Sequence, residues 1–92
     1  MSASAVRVLK IINEKGLHAR ASAKLVEVVE GFDAIADVRK DGMSASGDSI
    51  MGLLMLAASK GTSIEVQTSG PDAEALAAAI ETLVADRFGE GC

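Results

Sequence analysis

The sequence predicts an α+β fold, with helices laid on one face of a mostly antiparallel, four-stranded sheet. Three observations lead there. Short Val/Ile-rich runs alternate with longer stretches of helical periodicity. A Lys40-Asp41-Gly42 turn joins two of the runs directly, as antiparallel neighbours require. The chain has only 92 residues, enough for one small domain and two packed layers. The order reads βαββαβα.

Ala5 to Ile12 reads as the first strand. Its alternation is imperfect, with Leu9 and Ile11 on one face and Val6, Val8 and Ile12 on the other. A bulge or coverage on both faces would each explain that. Asn13 to Gly16 is a turn. A helix follows, with Ala21, Leu25, Val28 and Phe32 as its apolar stripe, Arg20, Lys24 and Glu27 facing water, and Gly31 as its stop. Ala34 to Arg39 and Met43 to Ser46 form the hairpin strands. Ser49 is the expected N-cap of a short helix closed by Ser59-Lys60-Gly61. Ser63 to Thr68 alternates cleanly, with Ile64 and Val66 buried. Pro71 is expected at the first position of the last helix, which carries Leu76, Ile80, Leu83 and Arg87 or Phe88 and ends at Gly89. Residues 1–92 thus read as one domain, with Met1 to Ser4 as a loose tail.

Composition narrows the function. Thirteen acids against nine bases leave a net charge of −4, and Phe32 and Phe88 are the sole aromatics. Both facts argue against nucleic acid as a partner. No apolar run approaches the roughly 18 residues needed to span a bilayer, and no secretory leader is evident. The one cysteine, Cys92, allows no internal disulfide and reads as an inert terminus, so a soluble cytoplasmic protein is expected.

His18 is the only histidine. It follows a glycine turn and directly precedes the periodic helix, where the first backbone N–H groups have no acceptor within the helix. A phosphate on His18 would lie beside the amides near Ala19 and Arg20. No acid occurs between Glu14 and Glu27, while Lys15, Arg20 and Lys24 do, so the ring is expected in a cationic patch that favours its neutral form. Neutral imidazole is a nucleophile toward phosphorus. Arg20 offers a paired hydrogen bond to phosphate oxygens, and Lys24 lies one turn further along. A lone histidine among cations lacks the further ligands a metal would need.

The segment from Ser49 to Ala58 carries no charge and is apolar all round. A chain this short cannot surround it, so Ile50, Met51, Leu54 and Met55 are expected to face outward as a docking patch. Ser49, at its head, is also a position where a phosphate would repel acidic partner surfaces.

Gly16-Leu17-His18-Ala19-Arg20 resembles the active-site motif of HPr, the histidine phosphocarrier of the phosphoenolpyruvate:sugar phosphotransferase system. Ser49-Ile50-Met51-Gly52-Leu53 resembles that family's regulatory serine and its helix, and the likeness runs from about Ala5 to Phe88. The resemblance implies an open-faced β-sandwich and a phosphohistidine at His18, formed on Nδ1 with Arg20 assisting. It implies phosphorylated enzyme I as donor, an enzyme IIA-type protein as acceptor, and phosphorylation of Ser49 by an HPr kinase/phosphorylase. It calls for no cofactor, and a carrier facing several partners is best served as a monomer. Ala21 stands where the family usually has Pro. Leu53 to Leu56 and Arg87-Phe88-Gly89-Glu90 look most like the nitrogen-related branch and its alphaproteobacterial relatives, where phosphate flow often regulates metabolism rather than driving sugar uptake.

Two other classes fit the residues less well. A non-covalent binding module would act through the Met-rich helix alone, with His18 a bystander. A small acyl phosphatase would need a second catalytic partner beside His18 and Arg20, and none is evident.

Overall fold

The computed structural model describes residues 3–91. Four strands, β1 (Ala3–Lys10), β2 (Ile35–Lys40), β3 (Met43–Ser46) and β4 (Ser63–Gly70), form one sheet in the order β1-β4-β2-β3. Every neighbouring pair is antiparallel. Three helices, α1 (Ala19–Glu30), α2 (Ile50–Met55) and α3 (Ala73–Ala85), cover one face. This is the expected open-faced α+β sandwich. Among the described residues no helix is long and apolar enough to cross a membrane.

The open face explains the uneven alternation of β1. Ala5, Leu9 and Ile11 point into the core, while Val6 and Val8 stand 52% and 69% exposed on the outer face. Neither a bulge nor double coverage is involved. Val8 pairs with Glu65 and Val6 with Gln67, so polar neighbours interrupt the apolar surface. Ala3 and Ser4, expected in a loose tail, are ordered strand residues opposite Gly70 and Ser69. The remaining tail residues, Met1 and Ser2, lie outside the described residues, as does Cys92.

The β2–β3 hairpin closes through Asp41 and Gly42, both with positive φ (51° and 81°), as a two-residue turn matched to strand twist demands. The core joins Val38, Ile64 and Val66 of the sheet to Leu25, Leu53, Leu76 and Ile80 of the helices, all fully buried. Its largest member is Phe88.

The helices differ from the sequence expectations in four respects. The buried stripe of α1 is Ala21, Ser22, Leu25, Val26 and Val29, while Val28 and Phe32 are only half-buried, because the helix packs on both α2 and α3 and so buries a wider arc. Helix α2 stops at Met55 rather than running to Ser59, since Ala57 turns left-handed (φ 52°). Pro71 lies one residue before the N-cap of α3, which is Asp72. There the Asp72 backbone N–H donates to the Asp33 carbonyl and its carboxylate accepts from the Asp33 N–H, tying the helix start to the α1–β2 loop. Helix α3 ends at Ala85, and Arg87, Phe88 and Gly89 are all left-handed (φ 54°, 55° and 76°), forming a separate turn.

The site depends on two crossing loops. Residues 11–17 run beside residues 57–62, joined by Ile11 N–H to the Thr62 carbonyl, Gly61 N–H to the Ile11 carbonyl and Leu17 N–H to the Ala58 carbonyl, each at 2.8 Å. Gly16 has φ 63°, and a Cβ there would collide with the Ala58 carbonyl and come within 2.8 Å of Ser59 Cα. Both obstacles are backbone, so neither yields easily. Gly16→Ala is therefore expected to destabilise the fold by roughly 2–4 kcal/mol through combined strain and overlap. Urea unfolding checks this, and an unchanged midpoint would contradict the close crossing.

Candidate functional site

His18 is the N-cap of α1, in extended conformation, and its carbonyl accepts the Ser22 N–H at 2.8 Å. Its ring makes no capping hydrogen bond to the helix. The amides of Ala19, Arg20 and Ala21 belong to the first turn, where no intrahelical acceptor exists. With no acid in that turn, the helix start is open to an anion. Ala21 is buried, and having no proline ring at this position it retains its N–H.

The predicted residues do gather here. His18, Ala19, Arg20 and Lys24 line one open cleft together with Lys15 and residues 89–91. Arg20 is exposed and its guanidinium is available. Lys24 is more constrained than expected. Its ammonium donates to the Phe88 carbonyl at 2.6 Å, so part of its hydrogen-bonding capacity holds the C-terminal turn.

The structure adds a residue the sequence reading did not place at the site. Glu90 comes back from the far end of the chain and puts one carboxylate oxygen on His18 Nε2. Its other oxygen accepts from Asn13 Nδ2 at 3.0 Å. Asn13 is fully buried, and the same amide also donates to the Gly16 carbonyl at 2.8 Å. The expectation of a purely cationic setting for His18 is thereby corrected: the segment 15–26 holds no acid, but a distant one folds onto it. The signal was present in sequence only as a glutamate just beyond the last glycine of a helix end, too weak to assign.

These contacts hold the Glu90 carboxyl below the usual carboxylate range, first through the hydrogen bond from His18 and then through that from Asn13. Glu14, bonded to Lys60 at 2.7 Å on the crossing loops, is lowered by that hydrogen bond and by the ammonium charge.

The α2 patch lies next to the ring. Met51 and Met55 are 70% and 69% exposed, Ile50 is 39% exposed, and Leu54 is half-buried. A shallow dip lined by His18, Leu17, Leu54 and Ala57 joins the two areas. Leu53 alone of this helix is fully buried, which secures α2 to the core. Ser49 caps α2 by accepting the Gly52 N–H at 3.1 Å. The edge thus brings together a histidine ring, the start of α1, an exposed arginine and an adjacent exposed apolar patch.

Comparison with known proteins places these features in context. Residues 6–86 match the family described as the PTS HPr component phosphorylation site. A phosphocarrier protein HPr of Cupriavidus necator is 44% identical over 88% of this chain and 91% of its own length. The phosphocarrier protein NPr of Escherichia coli is 41% identical over 91% of this chain and 94% of its own. The crystal structure of an HPr from Thermoanaerobacter tengcongensis superposes with a TM-score of 0.91 at 32% identity, covering 96% of this chain and 99% of that one.

Two outcomes follow from the site. Ser49→Ala is expected to cost about 1 kcal/mol by removing the α2 cap, measurable by thermal or urea unfolding. A carboxylate whose pKa is lowered by folding stabilises the native state above its unfolded value and loses that contribution as pH falls through the folded value. Glu90→Gln is therefore expected to be less stable than the wild type at neutral pH and to lose less stability on acidification below 4.5. Parallel urea midpoints at pH 3 and pH 7 for both proteins would contradict it.

Proposed function

This chain belongs to the HPr family of phosphotransferase-system phosphocarriers, and from that premise we propose that His18 accepts a phosphoryl group from phosphorylated enzyme I and donates it to an enzyme IIA-type acceptor. The observation that carries the reading is the placement of the ring: His18 stands at the open start of α1, with Arg20 on one side and the apolar α2 patch on the other.

The transfer balances simply. A ring nitrogen supplies the lone pair for the new N–P bond while the donor's bond to phosphorus breaks and its electron pair stays on the donor. The phosphoryl oxygens meet the amides of Ala19 and Arg20 and the Arg20 guanidinium, with Lys24 nearby. The site acts stoichiometrically, and nothing in the cycle calls for a metal or cofactor. Ile50, Met51, Leu54 and Met55 form the surface on which donor and acceptor alternate. Because both partners must reach the same edge, the working form is a monomer in the cytoplasm.

Ser49 is the proposed regulatory site. A phosphate there suits the α2 N-terminus, yet it places negative charge at the rim of the docking patch and weakens approach of an acidic partner face. An HPr kinase/phosphorylase is the matching modifying enzyme. Similarity to both HPr and NPr relatives fits either sugar transport or a nitrogen-linked regulatory output.

Incubation with enzyme I and phosphoenolpyruvate, read by intact mass, is the test. The expected product carries one phosphoryl group, stable in base and lost in acid, and His18→Ala forms none while keeping its fold. No modification by enzyme I of either the sugar or the nitrogen branch would favour a non-covalent module acting through α2. Ser49→Asp is expected to raise the apparent KM for transfer from enzyme I several-fold, and unchanged kinetics would remove the regulatory proposal.

A further inference from the structure

The contact between Glu90 and His18 does more than tie down the end of the chain. A carboxylate accepts hydrogen bonds and donates none. Where Glu90 meets Nε2 of a neutral ring, the ring's one proton must therefore lie on Nε2. Nδ1 is left with its lone pair, and among the described residues it has no hydrogen-bond partner. We infer that Glu90 is a positioning residue for phosphoryl transfer, selecting the Nε2–H tautomer of His18 and aiming Nδ1 at the incoming phosphorus. The inference rests on the reading of His18 as phosphoryl acceptor and goes beyond it by assigning a role to a residue outside the motif.

Three independent features show that this carboxylate is held in place. Asn13, fully buried, fixes its second oxygen at 3.0 Å. Lys24 clamps the preceding turn through the Phe88 carbonyl at 2.6 Å. The backbone adopts three consecutive left-handed residues, Arg87, Phe88 and Gly89, to bring Glu90 round. For Phe88, a bulky residue, that conformation is costly and persists only where surrounding contacts over-determine it. The full burial of its side chain supplies those contacts.

The same geometry serves the product. When Nδ1 bonds to phosphorus, Nε2 keeps its proton and the ring gains a positive charge. That charge lies against the Glu90 carboxylate, on the side of the ring away from the phosphoryl group. No proton has to leave during the step. The arrangement resembles the carboxylate that holds a catalytic histidine in one tautomer in hydrolytic triads.

The test combines 15N spectroscopy of the ring with transfer kinetics, using the wild-type chain, Glu90→Ala and Glu90→Gln. With the ring neutral, the wild type is expected to show a protonated-type Nε2 and an unprotonated-type Nδ1. Glu90→Ala is expected to give signals averaged between the tautomers and to accept phosphate from enzyme I about tenfold more slowly, as loss of an orienting contact does. Glu90→Gln, whose amide oxygen still accepts from Nε2–H, is expected to recover the nitrogen signature and part of the rate. A contact with only a structural role would not separate the two variants in this way. Wild-type nitrogen shifts and transfer rate in Glu90→Ala would overturn the inference. The spectra need no donor, so they judge the Glu90 contact even if the wild-type chain takes up no phosphate, an outcome that would overturn the acceptor reading instead.

Discussion

The passage of Gly16 against the Ala58 carbonyl is the constraint on which the rest of the molecule depends. The two backbones come so close that no side chain fits between them, and the hydrogen bond from Leu17 N–H to Ala58 then fixes their relative height. One loop leads directly into His18 and α1. The other leaves α2 through its left-handed Ala57. Fastening the loops together therefore places the ring and the apolar patch on one edge, although more than thirty residues of sequence separate them.

Local electrostatics at that edge is a balance of opposites. The start of α1, Arg20 and Lys24 favour an anion, while Glu90 brings a carboxylate to the same ring. Glu90 contacts the ring at Nε2 and lines the same cleft as Arg20 and Lys24. The cost of curling the chain end through left-handed backbone, of order 1–3 kcal/mol per bulky residue, is offset by burying Phe88, whose loss from a core typically costs about 3–5 kcal/mol.

Small size accounts for the openness of the design. Three helices suffice to cover one sheet face and no more, so the outer face keeps Val6, Val8 and Ile35 in contact with solvent. Similarly, α2 has one fully buried residue, Leu53, and must leave Met51 and Met55 outside. A protein of this build has its functional groups on the surface by necessity.

Much of this was legible in the amino-acid order. Periodic patterns located the two long helices and the clean β4 strand, the Ser49 cap marked α2, the Asp41-Gly42 pair announced the β2–β3 hairpin, and the glycine turn before His18 put the histidine at a helix start. These are local signals, carried by residues within a few positions of one another. What sequence could not show was decided by contacts between distant segments. Ala57 and Phe88 adopt left-handed conformations that their own identities disfavour, because the Ala58 carbonyl and the Phe88 ring have fixed places to reach. Lys24 donates a hydrogen bond to a backbone carbonyl 64 positions away. Glu90 meets a histidine 72 positions earlier, and no periodicity or motif encodes that meeting. Sequence alone determined the elements and the place of His18 at a helix start. Tertiary structure decided that residue's surroundings, because the helix end, the buried Asn13 and the Phe88 anchor act together only once the core has closed.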